Sequence, residues 1–170
     1  MAVLDAISKR HSCRSYKKMP IEQRKLDEIL EAARLAPSAK NLQDWRFVVA
    51  TNEDIKNQLA CAANDQMFLA DASVIIVACS NSDYVMRCGQ AIAPIDVAIA
   101  LEHIALQAAD LGLATCWIGS FYPEKIRKIL SIPEDIKIIE LMALGYPKDA
   151  LMQNERLSAE NIVSYNKWQF

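Results

Sequence analysis

Glycine is scarce in this chain: four stand among 170 residues. None falls in a Gly-x-Gly-x-x-Gly or Walker spacing, so the turns that let a backbone wrap phosphates in Rossmann and P-loop folds are missing. Histidine is scarcer, at positions 11 and 103 alone, and no His/Cys/Asp/Glu cluster has metal-ligand spacing. His103, inside an apolar run, reads as a core or interface residue. No Gly-x-Ser-x-Gly elbow offers a serine nucleophile. Cys13 has Arg10 and Arg14 nearby to favour its thiolate but no evident base. The five cysteines, at 13, 61, 79, 88 and 116, are odd in number and form no Cys-x-x-Cys pair, which is the usage of a reduced, cytoplasmic protein. A strong charge of one sign is lacking as well: the net charge is −2, which leaves no global field for nucleic acid or an anionic membrane. Asp5 and Lys9 stand where a secretory signal would place a basic start and an apolar run.

What the chain does have is apolar material. At 52% hydrophobic and 24% charged residues, it can bury one sizeable core, and a single domain over 1–170 is expected. No repeat, low-complexity segment or linker divides it. Val3, Leu4 and Ile7, then Leu26, Ile29, Leu30 and Ala33, then Ile55, Leu59 and Ala62 have helical spacing, each stripe expected to lie against a sheet. Strands are expected at Arg46 to Thr51, Val74 to Cys79, Thr115 to Ser120 and Ile136 to Leu144, as short branched apolar runs covered on both faces. A last helix follows Tyr122-Pro123. This order implies mixed α and β layers.

The longest apolar stretch, Ala91 to Leu113, has the length of a membrane span. It contains Asp96, Glu102, His103, Gln107 and Asp110, costly in hydrocarbon, and is bounded by Pro94 and Gly112 like an ordinary buried helix. Its apolar residues do not fit on one stripe, so cover is needed on nearly all sides, from the chain's own core or from a partner subunit. The aromatic ending, Tyr165 to Phe170, is expected to pack on something.

Chemistry concentrates in four segments. Lys9-Arg10-His11-Ser12-Cys13-Arg14-Ser15-Tyr16 gathers planar forks, a point charge and short hydroxyl donors, the set a phosphate ester requires. It also reads as a solvated basic turn that suits the end of the first helix. Ala36-Pro37-Ser38-Ala39-Lys40-Asn41-Leu42-Gln43-Asp44-Trp45 joins a helix to a strand, with small residues permitting close approach and amides offering donors and acceptors. Gly112-Leu113-Ala114-Thr115-Cys116-Trp117-Ile118-Gly119 leads a strand to a glycine where a flat ring can meet backbone. Gly145-Tyr146-Pro147, followed by Arg156, offers one more cation.

In this order, Arg-His-Ser-x-Arg, Ala-Pro-Ser-x-x-Asn-x-Gln-x-Trp, Gly-Leu-x-x-Cys-Trp-Ile-Gly and Gly-Tyr-Pro with a downstream Arg-Leu resemble the nitroreductase family of FMN-dependent oxidoreductases, over nearly the whole chain from Lys9 to Trp168. The resemblance implies an α+β fold: a three-layer sandwich with a mostly antiparallel, mixed central sheet flanked by helices. It implies a homodimer that exchanges its C-terminal arms and holds FMN at the interface. Arg10, Ser12 and Arg156 would then hold the FMN phosphate, with His11 and Cys13 lining the pocket mainly through backbone. Arg14 would lie nearer the ring, where a cation stabilises the negative charge gained on reduction. Pro37, Ser38, Ala39, Asn41 and Gln43 would reach the flavin from the other subunit. Trp117, Ile118 and Gly119 would end the strand beside N5, and Gln66 would stand in for an Asn that some members supply. Asp44 stands where the family commonly has Pro, and Asn154 where some relatives place a second phosphate-binding Lys. The implied activity is hydride transfer from NADH or NADPH through flavin N5 to an electron-poor small molecule, a nitroaromatic or a quinone, with no catalytic side chain named. Reductive dehalogenation, flavin fragmentation and non-catalytic flavin sensing are the alternatives.

Overall fold

The computed structural model describes residues 2–149 and 155–170. Among the described residues six α-helices and four strands follow one another: α1 Val3–Lys9, α2 Gln23–Arg34, β1 Trp45–Ala50, α3 Glu53–Ala62, α4 Phe68–Asp71, β2 Val74–Ser80, α5 Ile92–Asp110, β3 Ala114–Ile118, α6 Pro123–Leu130 and β4 Lys137–Gly145. The one-turn helix α4 is too short to show a periodicity, and the sequence did not announce it. Helix ends carry their usual chemistry. Asn52 caps α3 by accepting the Ile55 N–H at 3.1 Å, with Glu53 and Asp54 in the positive first turn. α6 opens on Pro123. α5 ends at Gly112 with φ +75°. There the Leu113 N–H reaches the Ala108 carbonyl at 2.8 Å and the Gly112 N–H reaches Ala109, a Schellman closure that glycine permits.

The four strands lie in the order β1-β2-β4-β3 and pair antiparallel throughout. The parallel element of the expected mixed sheet is a bridge between Ser12 and Thr115 at the outer edge of β3. Every residue of the central strand β2 is buried, which explains its unbroken apolar run. Successive side chains alternate faces. Ile75 and Val77 join Leu59, Leu69, Ile126 and Leu141 under α3, α4 and α6, while Ile76 and Ala78 join Ile29, Val97, Leu101, Ile104 and Met142 under α2 and α5. The sheet is thus the middle of three layers.

One expectation differs from the structure. The α1 stripe does not meet a sheet: Val3 is 73% and Leu4 74% exposed, Ile7 is also exposed, and only Ala6 of this helix is buried. Periodicity identified the helix but not what covers it. Among the described residues the aromatic tail stands exposed, open to cover from a partner subunit. Trp168 is 84% exposed and meets Phe170 edge-to-face at 4.9 Å. Most of α5 is covered internally, with Ile92, Val97, Ala100, Leu101, Ile104, Ala105 and Ala108 buried, yet Ile95 is exposed. Among the described residues, α5 is the one helix long and apolar enough to cross a membrane by length and composition, and half of its apolar window is buried inside the chain.

Candidate functional site

α1 stops because the chain turns extended at Arg10, whose N–H closes on the Ala6 carbonyl at 2.9 Å. From there the octapeptide is stitched to two other motifs. The Cys13 N–H donates to the Thr115 carbonyl at 2.9 Å, the Lys17 N–H to the Tyr146 carbonyl at 2.9 Å, and the Lys148 N–H to the Ser15 carbonyl at 3.0 Å. Tyr16 also bridges to Pro147. The first, third and fourth segments, far apart in sequence, therefore form one edge. Gly145 is obligatory there: a Cβ would lie 2.9 Å from the Ser73 N and 3.0 Å from both the Ser73 Oγ and the Tyr16 Cδ1.

Along that edge Cys13 and Tyr16 point into the core, while Ser12 and Arg14 are exposed and His11 is half-buried. The Ser12 hydroxyl and the Arg14 guanidinium make no hydrogen bond or ion pair among the described residues, so these donors are unspent. The His11 Nδ1 lies 3.3 Å from the Lys9 carbonyl. Arg10 is partly engaged, its Nε lying 3.6 Å from the Glu102 Oε1 on α5. Burial pushes the Glu102 carboxyl up, and the charges of Arg10 and His103 draw it back.

At Cys13, burial pushes the thiol up against the favourable charge of the flanking arginines, and its N–H is engaged by the Thr115 carbonyl. Beneath the edge, the Tyr16 hydroxyl and Thr115 Oγ1 are buried and meet no hydrogen-bond geometry with oxygen or nitrogen partners among the described residues. Desolvation holds the Tyr16 phenol protonated far above its ordinary range.

The second segment is a strained turn. Lys40, Asn41 and Gln43 all adopt positive φ, at 53°, 57° and 52°, unusual for residues with a Cβ. Asp96 of α5 holds it by accepting the Ala39 N–H at 3.1 and 3.2 Å. Ser38 Oγ accepts the Gln43 N–H at 3.0 Å, and the Gln43 Nε2 donates to the Asn41 carbonyl at 3.2 Å. Pro37, Asn41 and Gln43 are exposed, and Ser38 and Ala39 are half-buried. Asp44 is buried: its Oδ2 accepts from the Ser80 Oγ at 3.0 Å, while its Oδ1 has no partner. Asp96 went unmarked in the sequence because a lone carboxylate in an apolar run carries no motif.

At the strand end Trp117 is half-buried, Ile118 buried and Gly119 exposed. Asn64 and Gln66 converge on the next residue. The Asn64 Nδ2 donates to the Ser120 Oγ at 2.6 Å, and the Gln66 Nε2 to the carbonyls of Ser120 at 3.2 Å and Ala63 at 2.8 Å. Gln66 is thus set beside Gly119, with Asn64 a residue that the sequence reading passed over despite its turn-forming Asn-Asp pair. An open groove of about 640 Å³ runs from here between α3 and α6, lined by Asn57, Cys61, Asn64, Tyr122, Lys125 and Lys128 among others; residues 10–14 do not line it. Arg156 is exposed and donates to the Glu155 carbonyl at 3.0 Å. No described contact joins it to residues 10–14, and Asn154 lies outside the described residues.

This architecture has counterparts. The profile of the nitroreductase family matches residues 7–146. The NADH dehydrogenase of Thermus thermophilus is 34% identical, with 96% of this chain and 97% of that protein covered. A crystal structure of a nitroreductase family protein from Clostridium difficile superposes with a TM-score of 0.88 at 33% identity, covering 99% of this chain and all of the other. An FMN-dependent nitroreductase from the same species superposes at 0.85 with 29% identity over 97% of this chain and 99% of its own. With three of its motifs on one edge, its three layers and this match over most of its length, the chain belongs to the nitroreductase family.

Proposed function

We propose that the protein is an FMN-dependent oxidoreductase that takes hydride from NADH or NADPH and passes it to an electron-poor small molecule, a nitroaromatic or a quinone. The observation that carries this reading is the edge on which residues 10–14 and the strand end Ile118–Gly119 are tied together through Thr115. Its donors suit a phosphomonoester. Ser12 and Arg14 are unspent, Arg10 is only part-engaged by Glu102, and a dianion outbids one half-exposed carboxylate for a guanidinium. Flavin, when bound, supplies the two-electron chemistry at its N5. The remaining work falls to the chain. Arg10, Ser12 and, from beyond the Gly145 turn, Arg156 anchor the phosphate, with His11 and Cys13 bordering it. Arg14 adds a positive field where charge accumulates. Gly119, lacking a side chain, leaves its backbone open to a flat ring beside Trp117 and Ile118, and Gln66 borders the same end. No side chain serves as obligatory acid or base in this scheme.

A second copy completes the site. The Pro37–Gln43 turn would serve the partner's flavin, and the exposed α1 stripe, Ile95 and the aromatic tail are the apolar surfaces a homodimer would cover. Its place is the cytoplasm, where thiols such as exposed Cys61 and Cys88 stay reduced. Purified protein should be yellow, should sediment as a dimer, and should bleach anaerobically with NADH or NADPH and recover its colour with a quinone or nitroaromatic. Protein that takes up no FMN would defeat the proposal. FMN binding without turnover would leave the sensor reading.

A further inference from the structure

β4 opens on Lys137 and then reads Ile138, Ile139, Glu140, Leu141, Met142, with Glu140 the one carboxylate of an otherwise apolar run. The pairing with β2 slips at this point: Ala78 faces Glu140 but Cys79 faces Ile138, so Ile139 is the extra residue of a bulge, a device that re-aims a side chain. Here it aims the carboxylate at the end of β3. A Cβ on Gly119 would lie 3.5 Å from the Glu140 Oε1 and 3.8 Å from Oε2. Glu140 is half-buried, and no Lys or Arg pairs with it among the described residues. The groups that face it, Ala78 from β2 and Ile118 and Gly119 from β3, do not titrate. Burial pushes the carboxyl up, and the Ile118 N–H draws it partly back; no charged group contributes. An unpaired, half-buried carboxyl costs stability that an aliphatic residue would not.

We propose that Glu140 is a positioning residue of the flavin site, its carboxyl setting the field at the Ile118–Gly119 strand end and so making reduction of the bound flavin depend on whether that carboxyl is charged. This rests on the FMN reading above. An ionised Glu140 opposes the gain of negative charge that two-electron reduction brings, the opposite sign to Arg14. A neutral Glu140 removes that opposition. By reciprocity, reducing the flavin must raise the carboxyl's affinity for its proton by the same factor.

The test compares FMN-loaded wild type and E140Q by measuring the flavin midpoint potential from roughly pH 5 to 9. In the upper part of that range E140Q should favour reduction by on the order of tenfold, about 30 mV for a two-electron couple. The gap should close as the wild-type carboxyl protonates, with FMN affinity unchanged within about twofold. Superimposable potential curves from two FMN-loaded proteins would overturn the role of Glu140 while leaving the oxidoreductase intact. Should E140Q not retain FMN, infrared difference spectra of the wild type decide: the Glu140 carboxyl signal must change between oxidised and reduced protein, and its absence overturns the proposal. Wild-type protein that binds no FMN would sink the flavin reading and this inference with it.

Discussion

Replacing Arg10 by Ala separates phosphate recognition from structural support, because the same guanidinium also faces Glu102. At 3.6 Å, two unit charges at an effective dielectric near 20 attract by about 4–5 kcal/mol. Arg10 is 19% and Glu102 43% exposed at the side chain, and screening and desolvation bring the net worth of such a pair to about 1 kcal/mol or less. R10A should therefore unfold only slightly more easily than wild type. A charge-assisted bond to phosphate is worth about 1.5–3 kcal/mol, so FMN should bind roughly 10- to 150-fold more weakly. Riboflavin, which lacks the phosphate, should bind R10A and wild type alike. E102Q frees the guanidinium and removes a negative charge near the phosphate, so it should tighten FMN by up to about fivefold. The double variant should bind FMN better than R10A alone. Flavin fluorescence quenching measures each of these affinities. A loss equal for FMN and riboflavin would mean that Arg10 supports the fold; no loss for either would place the phosphate elsewhere.

Gly145→Ala forces a methyl against the Ser73 backbone and the Tyr16 ring; a cost of about 1–3 kcal/mol is expected, read as a melting temperature lower by roughly 2–4 °C for each kcal/mol. L4E/I7E places two charges on the uncovered α1 stripe, and sedimentation should show monomers whose chain remains folded by circular dichroism. Asp96 is raised chiefly by burial and further by the charge of Asp44, against the pull of the Ala39 N–H. Between the ordinary carboxylate value, about 4, and the raised one, the folded state binds more protons than the unfolded. Wild-type stability should accordingly fall as pH rises through that window, whereas D96N should lack this fall in urea titrations.

The strands were legible because each is short, branched and bounded by turn residues, and burial on both faces leaves an unbroken apolar signature, as in Val74 to Cys79. The basic octapeptide stood out by its concentration of cations and hydroxyls, a composition that suits a solvated turn closing α1 as well as an anion, and only the fold shows that Ser12 and Arg14 have no described partner. What periodicity cannot carry is the identity of the cover. Val3, Leu4 and Ile7 have the spacing of a core stripe and stand in solvent within one chain. Single carboxylates were equally opaque. Asp96 and Glu140 are isolated charges in apolar runs, and only the fold reveals that one holds the Ala39 turn and the other lies against Gly119.

α5 shows why such isolated charges are tolerated. Asp96 and Glu102 are six positions apart, about 9 Å along the axis and some 120° apart around it, so they leave the helix on different faces. One carboxylate clamps the N–H of a turn whose Lys40, Asn41 and Gln43 are held at positive φ, while the other faces the first arginine of the octapeptide. The helix that fills the α2-side core thereby touches both donor segments, holding the Ala39 turn by hydrogen bonds and meeting the octapeptide through the weak Arg10–Glu102 pair. If a symmetric neighbour packs on Ile95 and the α1 stripe, each helix presents one segment to its own chain's site and the other to its neighbour's. Through Asp96 and Glu102 the helix would then serve as the ruler between two half-sites, which a purely apolar helix could not do.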